Sequence, residues 1–194
     1  MRIENLIKER KQKIINYLDN VKSNEITGFE NDKVLISEKL LNDNLFTDFE
    51  ETQIVDSGVE SHIELRDFKQ TAVKMTQMAV AVYKFKTKGY NSILETITKN
   101  TNGYSISFDS KTKIITIELW TNFFNIKLSD KVKIEVNEKI KSIVSKENAN
   151  IDSKINLVKE YNNNLSEFVD SKINEVILKL KEENDNNNSI NPFD

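Results

Sequence analysis

The sequence predicts an α+β fold: a small antiparallel sheet packed by helices, plus a C-terminal helical hairpin or coiled coil. Alternating apolar residues, a turn and a returning apolar run predict a β-hairpin at about 104–120. From Ser129 almost to the end of the chain, apolar residues recur at three- and four-residue spacing, which is typical of helix. An isolated hairpin is only marginally stable, so we expect it to pack against further strands or a helix.

These patterns divide the chain into three segments. Residues 1–128 are expected to form an α+β globular region, and residues 129–183 a helical region. Residues 184–194 are rich in Asn and Asp, and they are expected to be a flexible tail.

The elements before the hairpin are predicted from shorter patterns. Apolar residues on one face predict a helix over 2–23. A short strand followed by a helical turn is the interpretation of the next apolar residues, Val34, Leu35, Ile36, Leu40 and Leu41. Two further short strands are predicted at 54–55 and 62–65, joined through an Asp-Ser-Gly turn. A short helix is predicted over 92–99.

Residues 69–86 fit two interpretations. At helical spacing the apolar residues collect on one broad face, whereas at strand spacing Gln77 falls into the apolar row. The length of the segment and its Ala, Met, Gln and Lys content favour helix. We therefore predict a largely buried central helix here.

The C-terminal region is either one long helix or two to three antiparallel helices. Two Asn-rich clusters, 148–150 and 162–164, interrupt the apolar pattern and favour the second arrangement. The apolar row has largely heptad-like spacing, with Asn162 in its seam, and it predicts contact with another helix of the same or another chain. Its members are Ile151, Ile155, Val158, Leu165, Val169, Val176 and Leu180.

The composition excludes several classes of site. The chain has no Cys, so disulfides, thiolate metal sites and cysteine nucleophiles are excluded. It has one His, which cannot supply a zinc site that needs two imidazoles. Its four Gly lie far apart, so no Gly-rich phosphate-binding loop can be formed.

The charge is unevenly distributed along the chain. The net charge is −3, but residues 43–67 hold eight carboxylates against Arg66 alone. This acidic segment, with Glu50, Glu51 and Asp56, is a candidate docking surface for a basic partner. Neither this segment nor the rest of the chain has the concentrated positive charge that is typical of nucleic-acid-binding proteins.

The same acidic segment is also a candidate metal site. His62 and Glu64 point to one side of a strand, and carboxylates are the ligands that Mg²⁺ and Mn²⁺ prefer. Such an ion could activate water and hold a phosphate for hydrolysis. The candidate ligands are Asp48, Asp56, Glu60, His62, Glu64 and Asp67.

Two hypotheses of function follow. The first is a non-enzymatic interaction or assembly protein without a cofactor, which forms homo-oligomers or binds a helical partner through residues 130–183. The alternative is a divalent-metal-dependent phosphoesterase or nuclease. The charged N-terminus and the absence of a long apolar run predict a cytoplasmic protein without a membrane span. The Lys-, Asn- and Ile-rich composition is typical of an AT-rich bacterium or a mobile element.

Overall fold

The computed structural model describes residues 2–22, 25–56, 59–69 and 75–188. Within these residues the helices are α1 (Ile3–Asp19), α2 (Ile26–Asn31), α3 (Lys33–Asn44), α4 (Asn91–Glu95) and α5 (Asp130–Asn188). The strands are β1 (Gln53–Ile54), β2 (Glu60–Lys69), β3 (Met75–Lys88), β4 (Lys99–Asn100), β5 (Tyr104–Asp109) and β6 (Ile114–Trp120). The fold is therefore α+β, as predicted. No helix in the described ranges combines the length and the hydropathy needed to cross a membrane.

All strand pairs are antiparallel. The strand order is β1-β3-β6-β5-β4, and β2 pairs with a second stretch of β3. The predicted hairpin is confirmed as β5 and β6, in which Ile106 pairs with Ile117 and Phe108 with Ile115. The short strands predicted near 54 and 62–65 are confirmed as β1 and β2.

The chain forms two compact units that share α5. Unit 1 spans Asp48–Asn156 and contains the sheet, α4 and the first part of α5. Unit 2 combines Arg2–Thr47 with the part of α5 from Leu157 onward. The three segments predicted from sequence stay a prediction. The last six residues of the predicted flexible tail, 189–194, lie outside the described residues.

The core of unit 1 lies between one sheet face and α5. Cross-strand partners share a face, and one row of partners runs Tyr83–Ile117–Ile106–Lys99. The two end residues of this row both contact α5. Tyr83 donates a hydrogen bond to Asn137 of α5, and Lys99 forms an ion pair with Glu147 of α5. Buried side chains of α5 complete the core: Val136, Ile140, Ile143, Val144 and Ile151.

The core of unit 2 is formed by helices. α1 buries Ile14 and Leu18, which are four residues apart and therefore lie on the same helix face. α3 contributes Leu40, and Phe46 is buried just after that helix. The second part of α5 contributes seven buried hydrophobic side chains: Val158, Tyr161, Leu165, Val169, Ile173, Ile177 and Leu180.

The predicted central helix at 69–86 is wrong, because residues 75–88 form β3. β3 lies between β2 and β6, and its residues Ala79–Val82 are buried on both faces. A strand buried on both faces is apolar without alternation, so its sequence resembles that of a buried helix. Hydrogen bonds from the neighbouring strands decide the conformation here.

Two helical assignments also differ from the predictions. Residues 33–44 form α3, so the short strand predicted at Val34–Ile36 is wrong. The region after Ser129 is one continuous helix rather than two or three antiparallel helices. Asn148 and Asn162 do not interrupt α5, because their side chains bond to backbone groups elsewhere in their own units. Polar side chains with such partners are compatible with the middle of a helix.

Candidate functional site

The sheet face opposite the unit 1 core contains a network of charged and polar side chains. A second row of cross-strand partners runs His62–Val82–Glu118–Ser105 across β2, β3, β6 and β5. Successive residues of a strand point to opposite faces, so this row lies on the other face from the row that holds α5. We refer to His62, Glu64, Arg66, Glu118 and Ser105 as the polar network.

Arg66 is the centre of the polar network. Its Nε donates to Glu64, and its Nη2 donates to Glu118 Oε1 at 2.7 Å. Ser105 Oγ donates to Glu118 Oε2 at 3.0 Å, and His62 Nε2 lies 3.3 Å from Glu64 Oε2. The guanidinium therefore forms ion pairs with two carboxylates on strands that are separated by β3, and one negative charge remains in the group.

The network also covers apolar residues of β3. Val80 pairs directly with Glu64, and Val82 pairs with both His62 and Glu118. Both valines are buried although they lie on the polar face. Since Arg66 spans from β2 to β6 above β3, its aliphatic part can shield these valines from water.

Ion pairing shifts the acid–base properties of these groups. The hydrogen bond from Arg66 is the main cause that lowers the pKa of Glu118, against a smaller opposing effect of burial. The hydrogen bond from Arg66 likewise lowers the pKa of Glu64. The hydrogen bond to Glu118 is the main cause that raises the pKa of Arg66. These three shifts all favour the charged forms of Glu64, Arg66 and Glu118.

The structure brings together only part of the predicted metal site. His62 contacts Glu64, but Glu64 is already paired with Arg66. Across the described residues, no three His, Asp or Glu side chains form a group that could hold a metal ion. The remaining predicted ligands are all exposed: Asp48, Asp56, Glu60 and Asp67. The metal site stays a prediction. Glu64, one of its predicted ligands, forms an ion pair with Arg66.

Glu118 was missed by the sequence analysis. It lies inside the apolar run Ile114–Trp120, and a charged residue within such a strand is the signal that could have identified it. Its partner Arg66 is the single cation of the acidic segment. Only the pairing of β2, β3 and β6 brings the two together.

The predicted docking surface for a basic partner is solvent-exposed. Glu50, Glu51 and Asp56 are all exposed in unit 1, just before β1 or just after it. This is the placement that long-range attraction of a basic partner requires. Docking of such a partner stays a prediction.

A groove of about 870 Å³ lies between β1, β3 and α5 in unit 1. Phe85, Ile140 and Val144 supply apolar surface, while Tyr83 and Asn137 supply a hydrogen-bonded pair of polar side chains. Burial raises the pKa of the Tyr83 hydroxyl. At one end, Asn148 Oδ1 accepts from the Ile54 N–H at 2.9 Å and Nδ2 donates to the Ile54 C=O at 3.3 Å.

The apolar row predicted to contact another helix is covered within the chain. Six of its seven members are buried, and Val176 is half-buried. The members in unit 1 are Ile151 and Ile155, and those in unit 2 are Val158, Leu165, Val169, Val176 and Leu180. The row is therefore covered by other residues of the same chain.

Exposed apolar side chains occur at several places, including Val34, Leu35 and Leu178, and three of them lie in the connection from β6 to α5. Phe123, Phe124 and Ile126 belong to this connection and are 43%, 61% and 50% exposed. Ile134, in the second turn of α5, is 58% exposed. We refer to these four residues as the aromatic surface. The aromatic surface was not predicted from sequence, although two consecutive Phe between predicted elements were the available signal.

Comparisons with protein-family models, curated protein sequences and solved structures found no match. The chain presents an ion-paired polar network, a groove and the aromatic surface.

Proposed function

We propose that the chain is a non-enzymatic interaction or assembly protein that binds another protein through the aromatic surface. The observation that carries this proposal is the exposure of Phe123, Phe124, Ile126 and Ile134 within a short stretch of unit 1. Single exposed apolar residues are common on protein surfaces, whereas four of them within one short stretch of chain, two of them aromatic, favour a binding role.

Burial of these side chains would provide substantial binding energy. Fully burying one Phe or Ile side chain contributes about 1.5–3 kcal/mol, and aromatic residues are enriched among the residues that dominate binding energy. Ile134 lies on α5, whereas Phe123, Phe124 and Ile126 lie in the connection, whose backbone is held at Phe123 by the hydrogen bond from the Ala79 N–H. A partner with a complementary apolar pocket would suit this surface.

Charged residues surround the aromatic surface. Lys127, Lys131 and Lys133 are exposed, and Lys133 forms a 3.0 Å ion pair with the exposed Asp130. A polar rim around an apolar centre is the usual organisation of protein–protein interfaces. The rim would select partners by charge, while Phe123 and Phe124 would supply affinity.

The assembly role is the one predicted from sequence, but the proposed binding surface is the aromatic surface and not the apolar row of α5. The apolar row of α5 is buried within the two units, so pairing with another chain through that row would first require those units to open. The aromatic surface is exposed in the folded chain. Homo-oligomerisation and binding of a helical partner both remain compatible with this role.

Photo-crosslinking tests the proposal directly. A benzophenone amino acid replaces Phe124 in the full chain, and the matched control carries it at Lys111, which is exposed in the turn between β5 and β6. We expect discrete protein adducts from position 124 in the native host, and none of the same size from position 111. Identical adduct patterns, or none from position 124, would contradict the proposal.

A stability measurement supports the interpretation of any lost adduct. The Phe124→Ser variant changes an exposed side chain, so its free energy of unfolding should stay within about 0.5 kcal/mol of the wild type. With benzophenone at Ile134, this variant should lose the adducts while keeping its fold. A large loss of stability would instead show that Phe124 has a structural role.

A further inference from the structure

β2 forms an edge of the sheet. It pairs over its ten residues, Glu60–Lys69, with β3. On its other side no described strand pairs with it. Such an edge offers a row of backbone N–H and C=O groups to an additional strand.

Backbone hydrogen bonds show which β2 residues present these groups. The Ala79 N–H donates to the Phe123 C=O at 2.8 Å, and the Ala79 C=O accepts from the Thr121 N–H at 3.0 Å. The backbone N–H and C=O groups of odd-numbered β3 residues therefore point towards β6. On the opposite edge of β3, the Lys86 C=O accepts from the Val55 N–H at 2.9 Å. The backbone groups of even-numbered β3 residues therefore point towards β1 and β2.

The register then determines the orientation of β2. Glu64 pairs with Val80 and His62 with Val82, so even-numbered β2 residues direct their backbone groups towards β3. Odd-numbered residues must direct theirs away from the sheet. The N–H and C=O groups of Ser61, Ile63 and Leu65 therefore lie along the free edge. Leu65 also has a 39% exposed side chain next to this edge.

We propose that a second copy of this chain adds its β2 to this edge, antiparallel, with Ile63 opposite Ile63 of the second copy. This register pairs Ser61 with Leu65 of the second copy, and both residues have outward-facing backbone groups. The three pairs 61–65, 63–63 and 65–61 form the hydrogen-bonded positions of an antiparallel ladder.

Charge complementarity favours a second copy as the occupant. In this register Glu60 lies opposite Arg66 of the second copy, and His62 lies opposite Glu64. Two-fold symmetry repeats each pair, so four cross-strand contacts join groups of complementary charge or hydrogen-bonding capacity. Centring the ladder on Glu64 would instead place Glu64 opposite Glu64 and His62 opposite Arg66. Like charges disfavour that alternative.

This pairing uses different residues from the aromatic surface, and it does not depend on the function proposed above. The two surfaces can be tested separately.

Single-cysteine variants test the register, because the chain contains no native Cys. Directly opposite residues of a hydrogen-bonded pair have Cα atoms about 5.5 Å apart, within the range that a disulfide can bridge. The full-length Ile63→Cys variant should therefore form a disulfide-linked dimer under mild oxidation. The Leu65→Cys variant is the matched control, since in this register its two copies lie roughly 13 Å apart along the strands.

Sedimentation of the full chain tests the dimer itself. The wild type should show a concentration-dependent monomer–dimer equilibrium, and Glu60→Lys should weaken it by about tenfold because two cross-strand pairs become like-charged. Ile63→Pro should abolish it while preserving the β2–β3 ladder, because it removes an N–H that points away from β3. Glu60→Lys suffices if the proline variant does not fold.

Three results would overturn the pairing: a wild type that stays monomeric at every concentration, cross-linking of Leu65→Cys but not of Ile63→Cys, or a dimer that is insensitive to Glu60→Lys. Phe124→Ser should leave the dimerisation constant unchanged. Loss of dimerisation in that variant would place the self-contact on the aromatic surface and refute the β2 pairing. A failed crosslink at Phe124 with an intact dimer would instead refute only the proposed function.

Discussion

Replacement of Asn162 by Ala tests whether the mid-helix asparagines anchor neighbouring segments. Asn162 Oδ1 accepts from the Phe46 N–H at 3.1 Å, and Nδ2 donates to the Phe46 C=O at 2.9 Å. Phe46 is buried, with the Arg10 guanidinium 3.6 Å above its ring centre and Tyr161 in edge contact. The amide therefore binds both backbone groups of a residue that is central to unit 2.

The magnitude follows from two opposing effects. Each lost hydrogen bond costs about 1 kcal/mol net, whereas exchange of Asn for Ala inside a helix gains about 0.5 kcal/mol of propensity. We expect Asn162→Ala to lower the free energy of unfolding by ~1.5 kcal/mol, which corresponds to a melting temperature lower by ~3–6 °C.

Urea unfolding followed by far-UV circular dichroism measures this difference. Asn164→Ala is the matched control, because Asn164 is exposed on the same helix and the same substitution there alters only helix propensity. The control should be neutral or more stable by up to about 0.5 kcal/mol. If both variants behave alike, the paired hydrogen bonds contribute nothing measurable and the proposed anchoring is refuted.

Two further predictions concern ion pairs in unit 1. Lys99→Met should destabilise the protein by about 3 kcal/mol in urea unfolding, because it removes the cationic partner of Glu147, which is 1% exposed. Lys133→Met, which breaks an exposed pair, should cost less than about 1 kcal/mol, and equal costs would contradict the role of burial. Arg66→Leu should change how stability depends on pH. Because the folded-state pKa of Glu118 lies below its ordinary value of 4.5, its contribution is complete above that pH and is lost as the pH falls through the folded-state pKa. The stability gap between Arg66→Leu and the wild type should therefore narrow below pH 4.5, and a constant gap would argue against the ion pair.

Prediction from sequence succeeded where the pattern was local. The β5–β6 hairpin has strict alternation at Tyr104, Ile106 and Phe108 because one face of each strand is buried. It failed for β3, whose residues are buried on both faces and whose periodicity is therefore lost. In the candidate site, too, contacts between residues close in sequence were predicted and contacts between distant residues were not. His62 and Glu64, two residues apart on one strand, were correctly placed side by side, whereas Glu118 is 52 residues from Arg66 and was missed.

The C-terminal helix α5 shows most clearly what local sequence patterns can and cannot predict. Helical periodicity over a long stretch indicates helix without any knowledge of neighbours, and the apolar row correctly predicted a face that needs to be covered. Asparagine is a poor helix former in isolation, so the Asn clusters suggested breaks. In the folded chain, Asn148 and Asn162 bond to the backbone of Ile54 and Phe46, and the helix continues through both positions.

The sequence by itself determined the α+β class, the hairpin, the helical C-terminal region and the absence of cysteine chemistry, because these depend on composition and on contacts between residues close in the chain. Tertiary structure alone decided that residues 75–88 are a strand, that the apolar row of α5 is covered within the chain, and that Arg66 forms ion pairs with both Glu64 and Glu118. Each of these depends on partners far away in sequence. Their hydrogen bonds and charges contribute as much free energy as local preferences do, and no local pattern encodes them.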